Sequence, residues 1–296
     1  MQLGIVEEIT PKDPNEGLQF RKTAANVEFR RLLEDDAPDG FNFWCTHVVH
    51  HDTGEDGFQT PRHNHTFQQI RYVIKGEINI GPDDFLHEGE LIYVPRGAYY
   101  GPQKRETTCT NIGMQFGFNG EHQRGPYWEN ARAETFARLK AKGKIEAGLY
   151  YETDPASGKV TVRDAADAAY DERHRLLKGT PLPIPAPRYR SPEIMYPDRF
   201  TYWDAAPGVE LKHLGKFYDQ PGPNGDITIS MARLSGGDYS LRADRPQVVW
   251  AMAPGLEVGG RICPAVTTLY SPLGEENQIG GKDGLEVFVF EFPRLG

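Results

Sequence analysis

Two spaced segments constrain this chain more than anything else in it. Gly57, His63, His65, Gln69 and Gly76 form G-x5-H-x-H-x3-Q-x6-G, and Gly89, Pro95, Gly97 and Tyr100 follow as G-x5-P-x-G-x2-Y. A strand sends successive side chains to opposite faces, so His63, His65, Phe67, Gln69, Arg71 and Val73 share one face if the stretch is extended. Two imidazoles two residues apart on one face are a common way to offer a metal two nitrogen donors. Gly76 reads as a turn between two strands, and Leu91 to Val94 reads as a β-rich run that Pro95 and Gly97 close. That turn delivers Tyr99 and Tyr100 to the same end as the histidines.

These segments resemble the paired motifs of the cupin superfamily, whose small β-barrels hold a metal at these positions. The resemblance implies a mainly β fold with His63, His65 and Gln69 as metal ligands. Gln69 stands where the family usually has Glu, which keeps an oxygen of similar reach and removes a negative charge. Tyr100 stands where the family usually has His. It is either a ligand, which requires the phenolate, or a hydrogen-bonding acid or base beside a two-histidine site. Gln103 and His47 are reserve ligands or pocket residues, with His50 and His51 behind them.

Arg71 falls on the inward face, where the family has an apolar side chain. An inward guanidinium needs an anionic partner, because an unpaired buried charge is costly. A substrate carboxylate or enolate would serve, and so would Glu77 or Glu90.

The C-terminal third repeats the pattern faintly. Gln247 is followed by an apolar strand and Gly255, and Pro272-x-Gly274-x2-Asn277 has the spacing of Pro95-x-Gly97-x2-Tyr100. Leu241 and Ala243, or their immediate neighbours, then occupy the H-x-H positions; none is histidine, so only the first copy can build the site from the motif. The chain reads as a bicupin, two double-stranded β-helix barrels with a helical segment between them. The expected divisions are a lead-in over 1–40 packing on the barrel through Phe20, Val27, Phe29 and Leu32, a first barrel over 41–120, a connector over 121–197 and a degenerate barrel over 198–296. Helices are expected over 131–144 and 164–178, and the proline-rich run at 181–188 reads as a stiff spacer. On the strand over 110–118, Ile112, Met114, Phe116 and Phe118 share one face.

With a net charge of −9 and a pI near 5.5, nucleic acid and anionic membranes are not the expected partners. No long apolar run or signal peptide is visible, so a soluble, cytoplasmic protein is expected. Cys45, Cys109 and Cys263 lack metal-knuckle spacing and read as buried thiols. The resemblance implies a divalent metal, most often iron, with manganese, nickel, copper and zinc as alternatives. It implies an oxidoreductase of the dioxygenase kind acting on a small anionic or aromatic substrate. A lyase or isomerase using Tyr100 as acid or base, and a non-catalytic small-molecule-binding bicupin, stay open beside it. A homodimer by strand exchange or sheet continuation is the expected assembly.

Overall fold

A computed structural model describes residues 1–11, 27–35, 42–51, 59–105, 107–117, 126–146, 148–218 and 225–293, with the side chains of 126–130 left out. Gly57, Phe20 and Phe118 lie outside the described residues. Two large antiparallel sheets dominate. The first runs Glu193–Met195, Leu91–Val94, Gln68–Lys75, Cys109–Phe116, Phe43–His50 and Val27–Asp35. The second runs Gln2–Ile5, Thr267–Ser271, Gln247–Ala251, Leu285–Glu291, Asp226–Leu234, Val209–Tyr218 and Trp203–Ala206.

Alternation along these strands separates two cores. On Gln68–Lys75, Ile70 faces outward while Val73 faces inward, and on Cys109–Phe116 the outward set is Ile112, Met114 and Phe116. Outward residues of both sheets meet in one apolar layer, in which Phe43 packs on Tyr270 at 4.7 Å, Tyr93 on Phe217 at 4.4 Å and Phe116 on Phe292 at 4.9 Å between ring centroids. The two barrels thus stand back to back across a shared hydrophobic layer, whose burial is the main force joining them. Inward residues fill each barrel separately. The second is packed with Leu241, Val249, Leu269, Val289 and their neighbours.

The repeat read in the sequence has a backbone counterpart. His63 and Tyr100 exchange N–H···O bonds of 3.0 Å in both directions, and Gly97 N–H donates to His65 O at 2.7 Å. In the second copy Leu241 N–H donates to Asn277 O at 2.8 Å and Gly274 N–H to Ala243 O at 2.7 Å. Leu241 and Ala243 therefore occupy the backbone positions of His63 and His65, and Asn277 that of Tyr100.

The lead-in differs from expectation. Gln2–Ile5 is an edge strand of the second sheet, paired with Thr267–Ser271, whereas Val27–Asp35 is an integral strand of the first sheet, paired with Phe43–His50. Glu193–Met195, just before the second barrel, pairs with Leu91–Val94 of the first. Each half therefore lends the other an edge strand.

The connector also holds more than helices. Helix α1 covers Pro126–Lys142 and helix α2 covers Ala165–Lys178. Between them lies a three-stranded sheet of Gly143–Glu146, Leu149–Thr153 and Val160–Asp164. Asp164 caps α2 by accepting from Ala166 N at 2.8 Å and Asp167 N at 3.0 Å. Its other oxygen accepts from Thr60 Oγ1 of the first barrel at 3.0 Å, so one carboxylate starts the helix and ties it to the barrel. The proline-rich run is no free spacer. A Cβ on Gly97 would fall 2.0 Å from Pro185 O, so glycine there lets the run lie directly on the turn of the second motif.

At one end of the second barrel Arg245 and Asp226, with side chains 5% and 2% exposed, form a two-pronged ion pair at 3.0 and 2.8 Å. The Arg245 hydrogen bonds hold the Asp226 carboxyl down to about 2 against the opposing effect of burial. A carboxyl held low in the folded state gives stability that is complete above its unfolded pKa of about 3.9 and is lost as pH falls through the folded value. The urea midpoint is therefore expected to drop on acidification from pH about 4 to about 2. In Asp226→Asn that component of the drop should be missing; an unchanged slope would refute it.

Candidate active site

The first barrel converges on Tyr100. Its phenol oxygen lies 3.0 Å from His65 Nε2, 3.0 Å from Gln69 Nε2 and 3.2 Å from Arg71 Nη2. The ring is buried among Val73, Ile78, Ile92, Val94 and Cys109, so its position is set by apolar packing. Strand register supplies the rest. Gln69 stands opposite Gln115 and Val94, and Arg71 opposite Gly113 and Ile92. A Cβ on Gly113 would meet Arg71 Cγ at 3.4 Å, so a glycine in that row leaves the long side chain its room.

Proton bookkeeping then fixes roles. Arg71 can only donate, through Nε and Nη2, and both bonds end on Gln69 Oε1. The Gln69 amide must therefore turn its NH2 group to Tyr100. In this arrangement the oxygen that would meet a metal is held by Arg71. Since Gln69 and Arg71 both donate to the phenol oxygen, the phenol's own proton is directed to His65 Nε2. His63 Nδ1 lies 2.7 Å from Pro61 O, a pure acceptor, so Nδ1 carries the proton and Nε2 the lone pair. Behind His65, Asp167 Oδ1 of α2 stands 3.8 Å from Nδ1, and Phe67 stacks on the ring at 4.4 Å.

Among the described residues, the positive charge inside this barrel is not matched by bonded carboxylates. Arg71 bonds only the neutral Gln69 and Tyr100. Glu77 and Glu90, its candidate partners, lie elsewhere: Glu77 pairs with His87 at 3.3 Å and Glu90 accepts from His87 N. Arg105, 5% exposed, bonds Asn79 Oδ1 at 2.7 Å and carbonyl oxygens, and has Arg71 and Tyr100 as electrostatic neighbours. Burial pushes its pKa down to about 10. Among the described residues no carboxylate bonds either guanidinium.

The reserve ligands have other partners or faces. Gln103 donates to Asn79 O at 3.2 Å. His47 shares the outward face of Phe43 and Cys45, where burial pushes its pKa down to about 4. His50 is buried on the same strand, and His51 is exposed and pairs with Glu28 at 3.0 Å. Sequence reading missed Arg105, Gln115 and Asp167. Gln115 has the strand parity that could have found it, whereas Asp167 has no local signal, because α2 meets His65 only through the tertiary fold.

No protein-family model and no curated relative matches the sequence. Solved structures do match. One is a protein of Nostoc punctiforme described as a candidate dioxygenase, with a TM-score of 0.57 at 14% identity, covering 99% of this chain and 83% of that one. The fold is the bicupin fold. The oxalate decarboxylase of Bacillus subtilis, a protein with Mn(II) centres, superposes with a TM-score of 0.51 at 11% identity over 99% of this chain and 77% of its own. A protein of Geobacillus kaustophilus does so with a TM-score of 0.52 at 10% identity, covering 100% of this bicupin and 98% of the relative. At such identities the likeness establishes architecture and leaves chemistry to the site itself.

The donor set of this chain fits a divalent ion in one way. Among the described residues no group of three or more His, Cys, Asp or Glu side chains stands together as a metal site. The histidine arrangement nevertheless follows the pattern of metal-binding imidazoles, with Nδ1 of His63 on a carbonyl and Nδ1 of His65 toward a carboxylate, leaving Nε2 of each as the donor. Tyr100 is the third donor at hand, with Arg71 Nη2 3.2 Å from its phenol oxygen.

Proposed function

We propose that the first barrel is the active site of a metal-dependent cupin enzyme acting on a small organic anion, a carboxylate or enolate. The carrying observation is the charge in its interior: Arg71 donates to Tyr100 and Arg105 is buried on Asn79, with no carboxylate bonded to either among the described residues. Arg71 is half-buried and Arg105 buried, and cations so placed favour an anion, because uncompensated charge removed from water is costly.

His63, His65 and Tyr100 would hold the ion, with iron as first candidate and manganese, nickel, copper and zinc as alternatives. Bound there, it would polarise the substrate as a Lewis acid and offer open positions to a second reactant such as dioxygen. The protein's own groups do the rest. Arg71 orients the anionic group while Gln69 fixes the guanidinium plane. Asp167 steadies His65 from behind, and Phe67 shields that ring from water.

Metal content by mass spectrometry tests this. Wild-type protein is expected to hold about one ion per chain after loading, and His63→Ala to hold none. A wild-type chain that takes up no ion under any loading condition would overturn the metal reading. Oxygen uptake with the bound anion then separates a dioxygenase from a lyase.

A second reading rests on the 3.0 Å contact between Tyr100 Oη and His65 Nε2 with Asp167 behind it. Without an ion, that line can pass a proton from the phenol to the imidazole and act as the acid–base pair of a lyase or isomerase. It requires turnover that chelators leave intact.

A further inference from the structure

We infer that the connector is the second wall of this active site, and that the substrate is an anion with an apolar, ring-sized body lying between connector and barrel. The inference rests on the reading of the first barrel as an anion-handling site and adds what the rest of the substrate must be.

A cavity of about 470 Å³ opens where α2 and the proline-rich run face the barrel mouth, with His63 and His65 among its lining residues. Phe67 and Tyr99 line it from the barrel, and Val162, Tyr170, Leu182 and Ile184 from the connector. Three of these are large apolar side chains left open to solvent: Tyr99 is 53% exposed, Val162 52% and Ile184 43%. Scattered exposed apolar residues need no explanation, but apolar residues gathered around one cavity beside a polar cluster mark a ligand surface.

Charged groups at this opening are largely spoken for. Asp171 accepts from Arg163 at 3.0 Å and from Leu182 N at 2.9 Å. Asp164 is used by Thr60 and the start of α2. Asp167 stands 3.8 Å from His65 Nδ1, and Arg62 lies over the Tyr99 ring at 5.2 Å. The space thus has an apolar rim and the two histidines at its barrel side, and hydrogen bonds lead from His65 through Tyr100 to Arg71 behind them. The wall is also held in place. Thr60 ties Asp164 to the barrel, Asp171 ties Leu182 to α2, and Pro185 lies against Gly97. A two-carbon dianion such as oxalate would leave most of this space unfilled. Sites of roughly 300–1,000 Å³ bury ligands with a substantial apolar body.

Isothermal titration of the full chain, as purified, with phenylpyruvate and with pyruvate as probes tests the inference. Phenylpyruvate is expected to bind at least tenfold more tightly than pyruvate. Val162→Asp and Ile184→Asp, at exposed positions that leave the thermal midpoint unchanged, are each expected to weaken phenylpyruvate at least tenfold and to leave pyruvate alone. Equal affinity for the two probes, or no effect of either substitution, overturns the role of the connector while leaving the anion reading in place. Binding of neither probe, or binding of both undiminished in Arg71→Gln, overturns the anion reading and this inference with it.

Discussion

Arg245→Ala is expected to lower the stability of the folded chain by about 3 kcal/mol, near the low end of the range for breaking a buried ion pair. The substitution removes both hydrogen bonds to the Asp226 carboxylate, whose side chain is 2% exposed inside the second barrel. Thr228 at 3.0 Å and the half-exposed Lys216 at 3.5 Å still face that carboxylate, which keeps the loss from being larger. The double variant Asp226→Leu with Arg245→Met should be far less damaging than the single one, because no charge is stranded. Denaturant midpoints at neutral pH, read with an unchanged m-value, decide the matter. Equal damage from single and double variants would mean that packing volume, and not the stranded charge, sets the cost.

Tyr100→Phe should leave the fold intact and remove the chemistry. The ring keeps its place among Val73, Ile92 and Val94, and only the phenol oxygen is lost, together with its contacts to His65, Gln69 and Arg71. Global stability should change by about 1 kcal/mol, the usual net worth of such hydrogen bonds. Turnover of the anionic substrate should fall about 10²- to 10⁴-fold, the range expected when a positioned proton-transfer group is removed. Ferric ion bound to a phenolate absorbs visible light by charge transfer, so colour on loading wild-type protein, absent in Tyr100→Phe, would identify Tyr100 as a ligand. A colourless iron-loaded wild type whose turnover still collapses in the variant would place Tyr100 in proton transfer alone.

Much of this site could be read from residue order because its logic is local. Alternation along one strand aligns Gln69 with Arg71, and the turn glycines bring Tyr100 back against His63. The faint second copy was legible for the same reason: Gly274 N–H reaches Ala243 O as Gly97 N–H reaches His65 O. What escaped depends on contacts distant in sequence. Nothing near Asp167 announces that α2 will meet His65, and nothing in the proline-rich run announces that Pro185 will lie on Gly97. The orientation of the Gln69 amide escaped for a subtler reason. Spacing gives the side chain its direction, but a neighbouring donor, Arg71, decides which end of the amide faces the centre.

The reciprocal loan of edge strands, Gln2–Ile5 to the second sheet and Glu193–Met195 to the first, gives the molecule the plan of an arm-exchanged homodimer written as a single polypeptide. Fusion changes what such a pair can become. In a homodimer every substitution appears twice, so filling one barrel with leucine and valine would fill both and abolish the site. In one chain, Leu241 and Ala243 can stand where His63 and His65 stand in the other half, and one barrel can turn to dense packing as structural ballast. The partner is then free to keep a polar interior with His65, Gln69, Arg71 and Tyr100 bonded together.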